Sequence, residues 1–424
     1  GWTVSWCTTA KTSPFTATSG SGFFVNTSGG AVTVTLPASP SAGDIVSIKD
    51  YARTFADACK AVTVGRNGSK MCGTCNDTTF NTKGLSATLI YVDGTKGWQL
   101  INDDATAQTG ASFIAATGGT VLTNGDFKTH VFSADGNFVV SSVGNPAGSD
   151  TVEYLVVGGG GSGGSGGVGG SGGGGAGGGF RSFICGSPNP LNAPAALPVS
   201  AQSYPITIGA GEATPGTACG VGSKGADSVF TTITSAGGGA GGVGNPLPGT
   251  SNQGQAGGSG GGSRGTAGLA AGAGNTPPVA PPQGNPGGSN PASPEKASGG
   301  GGGAGGAGAT GGTPQCGAGN GGDGGVGSFI ADSVFGPTAP SYGQSPSPLA
   351  PNGRYFSGGG GGGAGYPGGT GCAGGAAGAG GGAAGVNNGT ASNGTANTGG
   401  GGGGSRTGKT QGGSGFVAIR YKFQ

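Results

Sequence analysis

The sequence predicts all-β modules followed by a glycine-rich domain of packed polyglycine II helices closed by short β-strands, with essentially no α-helix. Three observations lead there. Between residues 158 and 415, most non-glycine residues of the glycine tracts fall three apart. They are Ser162, Ser165, Val168 and Ser171; Ala304, Ala307, Thr310 and Thr313; Asn320, Asp323 and Val326; and Pro367, Thr370, Ala373, Ala376 and Ala379. An extended left-handed helix of about 3 residues per turn puts every third residue on one edge, and a random Gly/Ser linker has no reason to keep that register. Residues 1–105 carry short alternating apolar runs parted by turn residues. Finally, the glycine-rich part is bracketed by two apolar strands, 152–157 and 416–423.

Residues 1–105 read as an all-β sandwich or prism-like module. Val32, Val34 and Leu36 alternate with Thr33 and Thr35 and stop at Pro37. Further strands are expected at 45–48, 61–64 and 88–92. Ser28-Gly29-Gly30, Ala42-Gly43-Asp44, Asn67-Gly68 and Asp93-Gly94 supply the turns. Residues 106–151 form a connector in which strands 127–132 and 138–140 flank Asp135-Gly136, a hairpin signal. Residues 152–424 form the glycine-rich unit. Its bracketing strands are expected to pair, so that the chain leaves and returns at one base. Strands 205–208 and 229–233 are expected near that base. A tract of about 10 residues would be roughly 30 Å long, giving a slab with connecting loops at its ends.

Composition narrows the function classes. Gly (112) and Pro (26) make up nearly a third of the 424 residues, a composition that alone would indicate disorder. Collagen is excluded because here the non-glycine residue, not glycine, recurs every third place. Ordering a residue costs about 1–2 kcal/mol of backbone entropy, while a hydrogen bond returns about 0.5–1.5 kcal/mol net. Isolated tracts should not order, whereas tracts packed side by side, bonding in several directions, would form cooperatively. Net charge is +2 and charged residues are 8%. No basic face suggests nucleic acid, no apolar run is long enough for membrane insertion, and no stretch has the form of a signal peptide. The chain opens at Gly1 without Met, which leaves room for an upstream segment.

The eight cysteines are Cys7, Cys59, Cys72, Cys75, Cys185, Cys219, Cys316 and Cys372. The even count allows disulfides, with one expected among Cys7, Cys59, Cys72 and Cys75. Cys72-x-x-Cys75 is half of a zinc pattern, but no second half accompanies it, so no metal and no cofactor is expected. For the four later cysteines, small buried free thiols are the alternative to disulfides.

Several stretches resemble a known group. Val152-Glu153-Tyr154-Leu155-Val156-Val157, running into glycine, is similar to the start of glycine-rich domains in bacteriophage tail-fibre proteins and adhesins. Ile206-Thr207-Ile208-Gly209-Ala210-Gly211, Thr234-Ser235-Ala236-Gly237-Gly238-Gly239 and the run Gly412 to Tyr421 resemble its later landmarks. In the N-terminal part, Phe24-Val25-Asn26-Thr27, Val32 to Pro37 and Gly43 to Tyr51 resemble a module of phage tail-associated proteins. The resemblance implies a virion structural protein with a polyglycine II sandwich whose tip loops bind a host receptor. Two features depart from it. The glycine unit follows β modules in the same chain rather than capping a separate fibre, and the cysteines are not part of the pattern.

Little suggests catalysis. Gly403 with Gly408-Lys409-Thr410 has P-loop spacing, but neither a buried strand before it nor a helix after it. His130 is the only histidine and reads as a half-buried strand residue, and Glu occurs only at Glu153, Glu212 and Glu295. Asp126 and Asp135 sit at turns, where Asp serves the backbone. No catalytic residue is therefore assigned. Phe180, Tyr204, Tyr355 and Phe356 are expected to seal the slab.

Tyr342, Phe335, Phe183, Asn192, Asn387 and Asn388 are the candidate recognition residues. They fall in or beside the loops 181–203, 245–253, 276–298, 336–354 and 386–398. The functional expectation is a non-enzymatic tail-fibre protein on a virion. It would self-associate, as a homotrimer, and contact other virion tail proteins and a bacterial surface receptor, either an outer-membrane protein or a glycan. The alternatives are a filament or coat component that binds no receptor, and a catalytic tail-spike.

Overall fold

The computed structural model describes all residues except 1–3, 58, 102–111, 146–147, 168–169, 212–221, 245–251, 266–267, 291–296, 313–318, 337–341, 346–352 and 366–371. The N-terminal part is a sandwich built from β1 (Ser5–Lys11), β2 (Phe15–Thr16), β3 (Ser21–Val25), β4 (Val32–Thr35), β5 (Ile45–Asp50), β6 (Val62–Gly65), β7 (Thr78–Phe80), β8 (Ser86–Asp93) and β9 (Gly97–Leu100). A sheet ordered β1-β3-β5-β8-β9 faces one ordered β2-β4-β6-β7. The alternation seen in the sequence decides which side faces in. Val32 and Val34 of β4 are buried while Thr33 and Thr35 are only half-buried. Val25, Leu36, Val46, Ile48, Phe55, Val62 and Trp98 complete one core with them.

The remaining strands are β10 (Ala115–Thr117), β11 (Thr120–Asn124), β12 (Phe127–Phe132), β13 (Gly136–Ser142), β14 (Thr151–Val157), β15 (Phe180–Phe183), β16 (Leu197–Pro198), β17 (Ser203–Thr207), β18 (Ser228–Phe230), β19 (Ile233–Ser235), β20 (Ser328–Ala331), β21 (Gly353–Phe356) and β22 (Phe416–Lys422). The hairpin expected across Asp135-Gly136 does not form. β12 joins β11 and β22, while β13 joins β10 and β17 in a different sheet. The physical reason is that Phe132 and Phe138 both enter the core between those sheets, so the turn carries the chain from one layer to the next. The tight hairpin lies one turn earlier, where Asn124 pairs with Phe127 around Gly125, whose φ is +56°.

β14 and β22 pair antiparallel, Val157 opposite Phe416 and Glu153 opposite Arg420. The chain leaves for the glycine region and returns at one place, as expected. Their sheet, ordered β11-β12-β22-β14-β15, is covered on both faces. Val156, Val417 and Ile419 pack toward β13 and β17, and Leu155, Val157 and Phe416 pack toward Ile330 and Phe356 of β20 and β21. Burial on both sides is why these strands read as continuous apolar runs rather than alternating ones.

The expectation of packed polyglycine II helices is corrected. The regular elements between β14 and β22 are β-strands and a 3-10 turn at Asp332–Val334, and no α-helix occurs among the described residues. Among the described residues the glycine tracts form no regular helix. Their amides bond outward to other runs. Gly158, Gly159 and Gly160 donate to the carbonyls of Gly179, Ala226 and Gly413, and Gly161, Ser162 and Gly163 repeat the pattern on Ala176, Ser223 and Thr410, at 2.9 to 3.1 Å. The returning run does the same toward other neighbours: Gly173 and Ala176 donate to Gly242 and Gly239, Gly174 and Gly177 to Gly299 and Gly302, and Gly175 and Gly178 to Gly402 and Gly399. Each neighbour is thus met every third residue. That accounts for the three-residue spacing in the sequence. Ser162, Ser165, Ser171 and Ala176 are buried between runs, whereas Ala307, Thr310, Asn320, Asp323, Ala373 and Ala376 lie on exposed outer runs.

Candidate functional site at the far end of the slab

The runs share a polarity. Gly158 and Gly179 are bonded next to β14 and β15, and Gly164 and Gly173 are bonded at the opposite end, where the chain turns. Other runs turn at that end as well. The amide of Gly244 donates to Ser165, Gly166 to Ser405, Gly363 to Gly172 and Val386 to Gly404. The 386–391 and 405–410 turns are tied together there, since Arg406 and Thr407 both donate their amides to the Gly389 carbonyl, at 3.1 and 3.2 Å.

Among the described residues, Arg264, Arg406 and Lys409 supply charge at this end. The Arg264 guanidinium lies against Gly170 and Gly244, where an added Cβ would approach it to 2.8 and 2.7 Å. Its Nε and the Asn252 Oδ1 are buried without a hydrogen-bond partner, and burial pulls its pKa below the usual arginine value. The described residues of the far-end turns, 165–172, 386–391 and 405–410, contain no carboxylate. The surface therefore suits a neutral or anionic partner. The segment with P-loop spacing is a turn held by its neighbours. Thr410 Oγ1 donates to the Gly403 carbonyl at 2.7 Å, Ser405 Oγ to that of Gly408, and Ser165 Oγ to that of Arg406 at 3.2 Å.

Of the residues singled out in the sequence, Asn387 and Asn388 are at this end. Asn387 Nδ2 donates to the Cys372 carbonyl at 2.9 Å, and the exposed Asn388 accepts from the Gly389 amide. The other candidates lie at the strand base. Phe335 is buried against Phe416, ring centroids 6.0 Å apart, and Tyr342 packs on the same ring at 5.4 Å. Phe183 is buried in β15. Asn192 braces its own loop, bonding both the amide and the carbonyl of Ile184. Loop 181–203 and the described residues of 336–354 therefore belong to the base, while 337–341, 346–352 and most of 245–253 lie outside the described residues. Phe180, Tyr204, Tyr355 and Phe356 are buried, as a sealing role requires.

The cysteines differ from the expectation. Cys59 pairs with Cys185, with Cα atoms 5.8 Å apart, and so ties the sandwich to the glycine-rich part instead of closing within Cys7, Cys59, Cys72 and Cys75. Cys7 and Cys75 carry free thiols, and Cys372 is disulfide-bonded. Cys219 and Cys316 lie outside the described residues. Among the described residues, no group of three or more His, Cys, Asp or Glu gathers at one point, and no helix is long and apolar enough to cross a membrane.

Two buried polar groups at the base were not legible as such. His130 is fully buried, not half-buried. Its Nδ1 is 2.7 Å from the Gly118 carbonyl, and its Nε2 is 3.1 Å from the Tyr421 hydroxyl. Arg420 Nη1 donates to Glu153 at 2.6 Å and the guanidinium stacks over Phe127 at 3.7 Å. The pair borders a cavity of about 510 Å³ between sandwich and base, lined also by Phe55, Cys59 and Cys185. Burial pushes the Glu153 carboxyl up, against the opposing pull of Arg420. The signal was present: a rare Glu in one bracketing strand stands opposite an Arg in the other.

No curated protein matches the chain. The match found is to a glycine-rich domain, over residues 132–422. Together with the β-strand architecture, this match to a glycine-rich domain replaces the resemblance to phage tail-fibre proteins and their polyglycine II sandwich. The match begins at the last residue of β12 and ends in β22, so it includes the strands β13 to β22 at the base of the glycine runs but not β10 and β11. The chain belongs to the glycine-rich domain family.

Proposed function

We propose that the chain is a non-enzymatic structural protein that presents turns at the end of a rigid glycine-rich slab for attachment to a cell surface. In this reading its place is the tail fibre of a bacteriophage particle. It self-associates as a homotrimer, contacts other virion tail proteins, and meets a bacterial surface receptor, an outer-membrane protein or a glycan, through the far-end turns. The observation that carries the reading is the polarity of the slab. Its strands and cores gather at one end, and backbone-bonded runs deliver several turns to the other. A close-packed scaffold holding loops away from the core is a common basis for recognition.

The test is replacement of Asn387, Asn388, Thr390, Arg406, Thr407 and Lys409 by Gly or Ser, leaving the buried Ala391, Ser405 and Thr410 in place, followed by measurement of adhesion to a panel of bacterial cells. Adhesion should fall at least about tenfold while the thermal transition stays in place. Unchanged adhesion would sink the reading. A second reading, a filament or coat component whose slabs pack on each other, draws on the exposed outer row of Ala307, Thr310, Ala373 and Ala376. Imaging of assembled particles separates the two, because packing would bury that row and the far-end turns between subunits.

A further inference from the structure

The outer face of the five-stranded sheet carries aromatic rings that the sandwich core does not use. Trp6 of β1 is 40% exposed and Tyr51, just after β5, is 59% exposed. Trp6 stands opposite Gly22 of β3. A Cβ on Gly22 would lie 2.6, 2.8 and 2.8 Å from the contiguous ring atoms Cδ2, Cε2 and Cε3. Near-equal distances to atoms in the middle of the indole mean that the ring lies flat over Gly22, one face on the backbone and the other toward solvent. Phe24, the next outward residue of β3, meets Trp6 at 5.0 Å with a 40° tilt. Tyr51 meets Phe24 edge-on at 6.4 Å. The three rings make a floor and one wall. Any larger residue at position 22 would lift the floor.

We infer that this face is a stacking platform for a pyranose ring of a glycan. The face of an aromatic ring is its negative side, and the polarised C–H bonds on one side of a pyranose are matching weak donors. An indole lying flat and open on one face is the shape such a ring needs. Charge argues against the other small ligand that aromatic faces attract, a cation. Lys49 is the cross-strand partner of Phe24, and the Arg53 guanidinium lies beside Gly84, to which Lys49 Nζ also donates at 2.6 Å. The nearby carboxylate, Asp50, is buried and turned inward to the amides of Thr54, Phe55 and Gly84. Cations flank the rings, and among the described residues the carboxylate nearest them is turned inward. This site lies on the sandwich and is independent of the far-end turns, so either assignment can fail without the other.

The experiment is titration of the full chain with chitotriose and with maltotriose, followed by tryptophan fluorescence and calorimetry, beside an array of neutral, N-acetylated and acidic glycans. Saturable binding is expected, weakened at least about tenfold by Trp6→Ala and by a smaller factor by Tyr51→Ala. Tyr51 is exposed enough that its variant keeps the parent's thermal transition, which guards against a folding artefact in the Trp6 variant. The proposal is overturned if no glycan binds, or if both variants bind as the parent does. It is equally overturned if the variants lower the oligomeric state in sedimentation, for then a second copy of the chain covers the rings.

Discussion

A methyl group on Gly174 would sit 2.0 Å from the Gly360 carbonyl oxygen and 2.8 Å from the Gly301 amide nitrogen. Both obstacles are backbone, and neither can rotate away. Overpacking a close-packed interior costs about 1–3 kcal/mol even where side chains can adjust, so Gly174→Ala should cost at least that. Ala376→Ser, on an exposed run, should stay within about 0.5 kcal/mol. Chemical denaturation of both variants measures the difference, and equal midpoints would show that the runs are not close-packed. At His130 the prediction concerns pH. Burial lowers its pKa below 6.5, with the Gly118 carbonyl opposing and Lys128 adding to the lowering. A depressed folded-state pKa means that the unfolded chain takes up the proton first. The contribution of neutral His130 is therefore full above the unfolded value and is lost as pH falls through the folded one. The melting temperature should drop more between about pH 7.5 and 5.5 for the parent than for His130→Gln. Parallel curves would refute the assignment.

At the scale of elements, legibility followed the period of the pattern. β4, β12, β14 and β22 were readable from apolar residues at a period of two or in an unbroken run, and the pairing of β14 with β22 followed from their bracketing position. What a strand pairs with across a turn was less legible. Asp135-Gly136 has the chemistry of a tight hairpin, yet β12 and β13 part into different sheets, because the burial of Phe132 and Phe138 outweighs the local turn preference. The three-residue spacing of the tracts pointed correctly to a repeated backbone contact. Naming it a helix went too far, since the regular elements of the glycine-rich part are β-strands. Tyr342 and Phe335 looked like loop aromatics, but both pack against Phe416 of β22 and so belong to a core. The Cys59–Cys185 bond spans 126 residues, and nothing local in the sequence indicates such a partner.

Across the described residues of the whole molecule, three cores divide the work. The first belongs to the sandwich alone. The other two lie on opposite faces of the sheet containing β14 and β22, and they include residues from β10, β12 and β13 as well as from the glycine-rich part. No run of the slab can order singly, since each glycine loses the most backbone freedom of any residue and gains bonds only from runs already in place. The sheets at the base must therefore form for the slab to have an anchor. A chain beginning at Ser112 keeps β10 through β22 and both of those cores. With Cys185→Ser to remove the orphaned thiol, it should unfold in one cooperative transition. A chain beginning at Val152 loses β10 through β13. It leaves β22 without its partner β12 and uncovers Val417, Ile419 and Tyr421. That fragment should show no cooperative transition by circular dichroism and should exchange its glycine amides at the rate of an unfolded chain. If the shorter fragment melts as sharply as the longer one, the slab is self-sufficient and the strands at its base are only its attachment.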